Sequence, residues 1–454
     1  MHPSENNGAD PLPHQQMTTW AKDPYVPRMH LVATTEVAAR LSAAQTRSTS
    51  FLRGIQWTAD GTALVASTSD NRLSTYVLPA DLLDPNGPPR TLTPQGQLHL
   101  PEPFYSAAIS PYFSLSEPQT QLALLACKDH PIQLHQLFSD SPSSPPLCSY
   151  KLIRRETEEY ICPESLLWSW PGTHFLTGST NRLDYFDLSR VGSDGPVLTI
   201  PTIPSKRHLL KGGGVGMKGM VSALSSQCPA DSGASIVAAG TWSRWMGLYD
   251  VTRTNKPVAN WSIQGVTKAH FGQDIGGNGI VQTIWSPCGR YLAINERQAS
   301  GILVYDVRGT GQPLNLLIGR NTTTQQRLTC DVYPGTGEVS GAFELWAGTE
   351  SGNVLVYENV SACNGVLDKS WDWAAHSSPV GSAALHHTGS VVATCSGAWT
   401  SHADHELDNE LGCADANCQP RLASTRITPE SSLKVWNLAT TATADPSAQD
   451  QPDA

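Results

Sequence analysis

Two short stretches of the chain set arginine beside flat rings or beside side chains that donate hydrogen bonds. Thr241-Trp242-Ser243-Arg244-Trp245 interleaves two indoles with a guanidinium, and Gly319-Arg320-Asn321-Thr322-Thr323-Thr324-Gln325-Gln326-Arg327 holds a run of hydroxyls and amides between two guanidiniums. Guanidinium groups pair with phosphate and aromatic faces stack unpaired bases, so these are parts from which a single-stranded RNA site can be built. Arg53, Arg72, Arg154, Arg155, Arg182 and Arg297 recur at expected strand ends and turns as well. An arginine in such a place is commonly only solvated, or paired with a neighbouring carboxylate. For Trp242 and Trp245 the alternative use is packing between strands.

Other reactive patterns lead nowhere comparable. Gly214-Val215-Gly216-Met217-Lys218-Gly219 fits the glycine fingerprint for dinucleotides, which needs a helix N-terminus to receive the pyrophosphate. The following Met220-Val221-Ser222-Ala223-Leu224 alternates like a strand, so the glycines read as a loop. His402, His405, Cys413 and Cys418 could ligate zinc, yet Asp404, Glu406, Asp408 and Glu410 around them read as an acidic solvated loop. There is no Gly-x-Ser-x-Gly elbow and no paired-histidine metal helix. The chain is therefore expected to be no enzyme, with no catalytic residues, no cofactor and no metal.

Bulk properties limit the partners. Thirty basic side chains against forty acidic ones give a formal charge of -10, which excludes whole-surface attraction to nucleic acid and leaves a local patch as the only route. Ten cysteines are scattered without disulfide-framework spacing, which fits a reducing compartment. No stretch approaches the roughly 18 apolar residues of a membrane span, and Met1 to Gln16 has no apolar core of a signal peptide.

What must position the arginines is a repeat. Phe51 to Trp57 reads as an apolar strand, Thr58-Ala59-Asp60-Gly61 as a turn, and Ala63 to Ala66 as a buried strand. Ser69-Asp70-Asn71 then turns the chain into an alternating strand ending on Tyr76. The same order returns over Tyr105 to Leu137, Ser165 to Leu188, Met220 to Val251, Ile280 to Asp306, Leu328 to Glu358, and Val380 to Trp436 with an insertion. Seven such units predict an all-β, seven-bladed β-propeller of WD-repeat type. The Gly-His and Trp-Asp dipeptides of that repeat are missing, with Tyr249-Asp250 and Tyr305-Asp306 in their places. His30 to Thr34 is the expected closing strand of the last blade. The expected domain plan is a disordered tail over 1–29, the propeller over 30–440 with an acidic insertion at about 398–430, and a disordered tail over 441–454. The Ser141 to Pro146 loop reads as flexible.

These residues carry a family likeness. Phe51-Leu52-Arg53-Gly54 with Trp57 and Asp60-Gly61, Asp70-Asn71-Arg72-Leu73, Tyr76-Val77-Leu78-Pro79, Pro131-Ile132, Gly247-Leu248-Tyr249 and Gly319-Arg320 with Thr323-Thr324-Gln325-Gln326-Arg327 resemble the telomerase Cajal body protein family. The resemblance runs from about His30 to Leu438 and includes the acidic insertion after Ser396-Gly397. It implies a WD-repeat protein of the nucleus, in the Cajal body or nucleoplasm, that binds small Cajal-body RNAs or telomerase RNA and directs their localisation or maturation. The implied partners are a small nuclear RNA or its ribonucleoprotein and other nuclear ribonucleoprotein components, with no membrane and with the chain a monomer inside a larger complex. An RNA-contact role is implied at Arg53, Arg72, Arg320, Gln326 and Arg327, to which the reading of the Trp-Arg stretch adds Trp242 and Arg244. A divergent fungal branch of the family points to the alternative, a nuclear scaffold in pre-mRNA splicing or spliceosomal particle assembly that never touches RNA.

Overall fold

The computed structural model describes residues 28–35, 50–84, 87–139, 141–154, 156–192, 194–204, 216–227, 235–335, 341–402, 424–427 and 430–439. They form a seven-bladed β-propeller, each blade an antiparallel sheet stepping outward from a central channel. Blade one is Leu52–Trp57, Ala63–Thr68, Arg72–Val77 and Gly96–His99. Blade two is Phe104–Ile109, Leu122–Cys127, Ile132–Gln136 and Cys148–Tyr150. Blade three is Ser165–Trp168, His174–Ser179, Arg182–Asp187 and Leu198–Pro201. Blade four is Val221–Ser226, Val237–Thr241, Trp245–Tyr249 and Pro257–Ser262. Blade five is Ile280–Trp285, Tyr291–Glu296, Gly301–Asp306 and Asn315–Ile318. Blade six is Cys330–Pro334, Phe343–Gly348, Asn353–Tyr357 and Trp371–Ala374.

Blade seven closes the ring. Val380–Leu385, Val391–Ser396 and Leu433–Ala439 are joined by Arg28–Thr34 from the other end of the described chain, with Leu31 opposite Trp436 and Thr34 opposite Lys434. The expected closing strand is thus in place, and Arg90–Thr91 pairs parallel on its outer edge so that part of that edge is covered. A hairpin of Trp399–His402 and Ser424–Ile427 stands between the second and third strands of this blade. The zinc-ligand candidates His405, Cys413 and Cys418, the His402 side chain, most of the acidic insertion and the two expected tails, apart from Arg28 and Met29 of the closing strand, lie outside what is described.

Second strands such as Tyr291–Glu296 and Val391–Ser396 are buried at every position, which is why each opens with consecutive apolar residues rather than alternating ones. Neighbouring blades share the apolar side chains between them: Met246 and Leu248 of blade four pack with Ile294, Leu303 and Tyr305 of blade five. Polar links join the inner strands. Ser165 Oγ donates to Val221 O at 2.9 Å, Ser222 Oγ to Ile280 O at 2.6 Å, Gln282 Nε2 to Cys330 O at 2.7 Å, and Ser382 Oγ to Ile55 O at 3.2 Å. A strand follows the glycine run of 214–219, as its alternation implies, and the described cysteines are all free.

Two expectations need amendment. The Ser141 to Pro146 loop is pinned, since Pro142 O accepts the His99 N–H at 2.7 Å and Ser141 O accepts the Ser144 N–H at 3.1 Å. The histidine and tryptophan of the WD signature also survive in blade seven without their usual neighbours. His376 Nε2 and Trp436 Nε1 each lie 2.8 Å from Thr394 Oγ1, and His376 Nδ1 lies 2.6 Å from Glu430 Oε1.

Candidate functional site

The local feature that builds the site is a repeated β-bulge. Pairing between the first and second strands slips by one residue at Arg53, Tyr105, Ser222, Val281 and Gly381, in blades one, two, four, five and seven. A bulge leaves one residue out of the ladder and re-aims its side chain. Here Arg53, Tyr105, Ser222 and Val281 all line one end of the central channel. Blade seven needs glycine at that place, because a Cβ on Gly381 would sit 2.7 Å from the Arg53 carbonyl oxygen.

The channel has a volume of about 970 Å³, and among its lining residues the charged ones are Arg53, Glu164, Arg297 and Arg327. Three guanidiniums against one carboxylate leave two positive charges at the mouth of a protein that is acidic as a whole. Arg327 Nη2 donates to Glu164 Oε1, and Glu164 is only 8% exposed. Burial raises the Glu164 carboxyl above its ordinary value, while Arg327, Arg297 and Arg53 oppose that rise. Burial likewise lowers Arg327 and Arg53, with Glu164 opposing, and both stay charged because guanidinium holds its proton so tightly. Among the described residues the Arg53 side chain has neither a hydrogen-bond nor an ion-pair partner, and the buried Nε of Arg297 has no hydrogen-bond acceptor.

Flat rings surround this charge. Trp242 is 41% exposed and lies beneath the Arg297 guanidinium, whose carbon is 5.8 Å from the ring centroid. Trp399, 54% exposed, meets Phe51 edge-on with centroids 5.5 Å apart. Gly397 lets that contact form, since a Cβ there would lie 2.6 Å from Phe51 Cβ, and its φ of +136° suits glycine. Gln326 Nε2 donates to Gly397 O at 2.8 Å and ties the loop before blade six to this corner.

Four of the seven residues expected from sequence therefore meet here: Arg53, Trp242, Gln326 and Arg327. The other three do not. Arg72 lies outside the channel lining, in an exposed turn where it pairs with Asp70. Arg244 forms a two-pronged pair with Glu296, at 2.6 Å from Nε and 3.0 Å from Nη2, and also donates to Gly276 O at 3.0 Å. Arg320 is 1% exposed and gives its protons to Asn295 Oδ1, to Gly348 O at 2.9 Å and to Leu328 O at 2.7 Å. In the structure the Arg320 donors and the Nε and Nη2 of Arg244 are directed at protein acceptors rather than at the channel. Trp245 packs within the apolar cluster of blades three and four. Sequence reasoning passed over Glu164, Phe51 and Trp399, and counted Arg297 only as a strand-end arginine. Aligning the turns between second and third strands would have found Arg297, since that turn in blade four carries Trp242.

No protein-family model matches the chain. It is similar to telomerase Cajal body protein 1 of Rattus norvegicus, 26% identical over 358 residues, 78% of this chain and 60% of the relative. It is also similar to guanine nucleotide-binding protein negative regulator 1 of Schizosaccharomyces pombe, 25% identical over 66% of this chain and 71% of the relative. Protein SWT21 of Vanderwaltozyma polyspora is 26% identical over 67% of this chain and 66% of the relative. The chain thus spans 60% of the rat protein's length. With the propeller in place, the chain is similar over most of its length to proteins of the telomerase Cajal body protein family, at about 25% identity.

Proposed function

We propose that this chain is a non-enzymatic nuclear protein that binds a small nuclear RNA or its ribonucleoprotein through the mouth of its propeller channel. The observation that carries the reading is the concentration of positive charge and exposed indoles at one mouth of a protein with a formal charge of -10. Guanidiniums for phosphate and flat rings for unpaired bases are the two components single-stranded recognition requires. The names of the Cajal body relatives support a nuclear setting, and on this reading the chain acts there as a monomer within a larger particle. Sequencing RNA crosslinked to the protein in intact nuclei tests this. A defined class of small nuclear RNA is expected well above background, and recovery of no class above background overturns it.

A scaffold reading has one observation in its favour. Tyr112, Leu115 and Trp170 are exposed on the turns between first and second strands of blades two and three, at the opposite ends of those strands from the basic mouth. Such rings suit a protein partner. If crosslinking finds no RNA while Tyr112→Ser with Trp170→Ser strips protein partners from the purified particle, the scaffold reading replaces the first.

A further inference from the structure

We propose that Arg53, Arg297 and Arg327 form a phosphate site in which the Glu164 carboxylate occupies, in the free protein, the place that the phosphate takes. The site, resting on the reading of the channel mouth as the RNA-facing surface, would hold the backbone phosphate of one unpaired nucleotide whose base stacks on Trp242. Free oligophosphate shares that chemistry and serves as the simpler probe.

Three features point to an anion here. Arg297 keeps a buried Nε without an acceptor, an arrangement that is unfavourable until something supplies one. Arg53 is aimed at the same mouth by its bulge and has no partner among the described residues. Glu164 supplies one negative charge against three cations, which leaves the mouth electropositive and attractive to an anion. A carboxylate and a phosphate both present oxygen pairs that match the fork of a guanidinium, so the Arg327 hydrogen bond can pass from one to the other. Trp242, partly exposed and in contact with the Arg297 guanidinium, then stands beside the phosphate rather than at a distance from it. A base still stacked in a duplex cannot reach this wall, which selects an unpaired strand.

Glu164 also makes the site pH-sensitive. The charged groups acting on it are Arg53, Arg297 and Arg327, and its own charge acts on the Cys162 thiol. Because burial raises the Glu164 carboxyl, acidification protonates it before an exposed glutamate, releases Arg327 and lifts the site from two positive charges to three. Affinity for the phosphodiesters of oligouridylate should therefore increase on acidification, beginning at a pH above that at which an exposed glutamate takes up its proton.

The test uses the full chain with two probes, sodium tripolyphosphate in thermal unfolding and a fluorescently labelled ten-nucleotide oligouridylate in anisotropy titrations. Arg53→Gln with Arg297→Gln is expected to abolish the tripolyphosphate stabilisation, weaken RNA binding by at least tenfold and reduce the salt slope by roughly 0.7 for each phosphate no longer neutralised. Glu164→Gln is expected to tighten both ligands by roughly tenfold, the scale of one added charge close to an anion, and to flatten the pH profile. The pH profile of the unmodified chain tests the same point should Glu164→Gln fold poorly. RNA binding that is unchanged in the double arginine variant overturns the phosphate site and leaves the RNA reading standing. Tripolyphosphate binding that depends on both arginines, with no oligouridylate binding, keeps the site and overturns its nucleotide occupant. Failure of the unmodified chain to bind either probe overturns both.

Discussion

Arg320 and Arg327 lie seven positions apart in one loop, and the fold gives them opposite employment. Arg320 is buried against carbonyl and amide oxygens of blades five and six, while Arg327 reaches the channel and shares Glu164 with two other arginines. Nothing in their residue type separates them, since both are arginines among the same threonines and glutamines. What separates them is how many protein acceptors stand within reach once the blades close. Arg320→Leu should leave Asn295 Oδ1 and Gly348 O short of a donor inside the protein and lower stability by about 3 kcal/mol, at 1–3 kcal/mol for each buried group left unmet. Chemical denaturation measures this, and the fraction that remains folded should bind the RNA probe with ordinary affinity. A specific loss of RNA affinity at full stability would return Arg320 to the contact surface.

Among the elements, the turn between second and third strands explains how Arg244 is held. Thr68, Thr241 and Thr349 each accept, through Oγ1, the N–H four residues on, and the residue between is left-handed: Asn71 at φ 63°, Arg244 at φ 64° and Gly352 at φ 94°. Asparagine and glycine tolerate that conformation, and arginine does so at some strain. Its compensation is Glu296, whose side chain is only 2% exposed. Arg244→Ala should destabilise by about 3–5 kcal/mol by leaving that carboxylate buried and unpaired. Arg244→Gly should be milder by about 1 kcal/mol, because the backbone strain is relieved at the same time. Equal losses measured by urea unfolding would show that strain at this turn plays no part. The first three strands of every blade were legible as apolar runs bounded by turns. The outer strands, such as Cys148–Tyr150 and Leu198–Pro201, were not, because they are short, half-exposed and reached through loops of varied length. The bulges that aim Arg53 and Tyr105 inward were equally silent, being offsets of register rather than of composition.

The ring as a whole depends on the seam of blade seven, where the two ends of the described chain meet. Deleting residues 1–34 removes the outer neighbour of Leu433–Ala439 and exposes a long edge. The melting temperature should fall on the order of 10 °C and the protein should self-associate, as light scattering would reveal; unchanged melting would mean that the ring closes without that strand. The same blade carries an acid-sensitive link. Burial pulls the Glu430 carboxyl upward, but hydrogen bonds from His376, Lys434 and Ser377 outweigh it and hold the group well below the usual glutamate range. A depressed folded-state value contributes stability above the unfolded value of about 4.3 and loses it as pH falls below that point. The stability gap between the unmodified chain and Glu430→Gln should therefore be widest near neutral pH and shrink below about pH 4; a gap independent of pH would show that the charge of Glu430 is not what matters. That the chain is a ring of seven repeats with arginines near its turns follows from apolar periodicity and turn chemistry, which are local properties readable along the chain. Which of those arginines are free to meet a ligand follows from packing alone, because burial, register and the carboxylate opposite each guanidinium come from strands tens to hundreds of residues away, as with Arg327 and Glu164 across the channel.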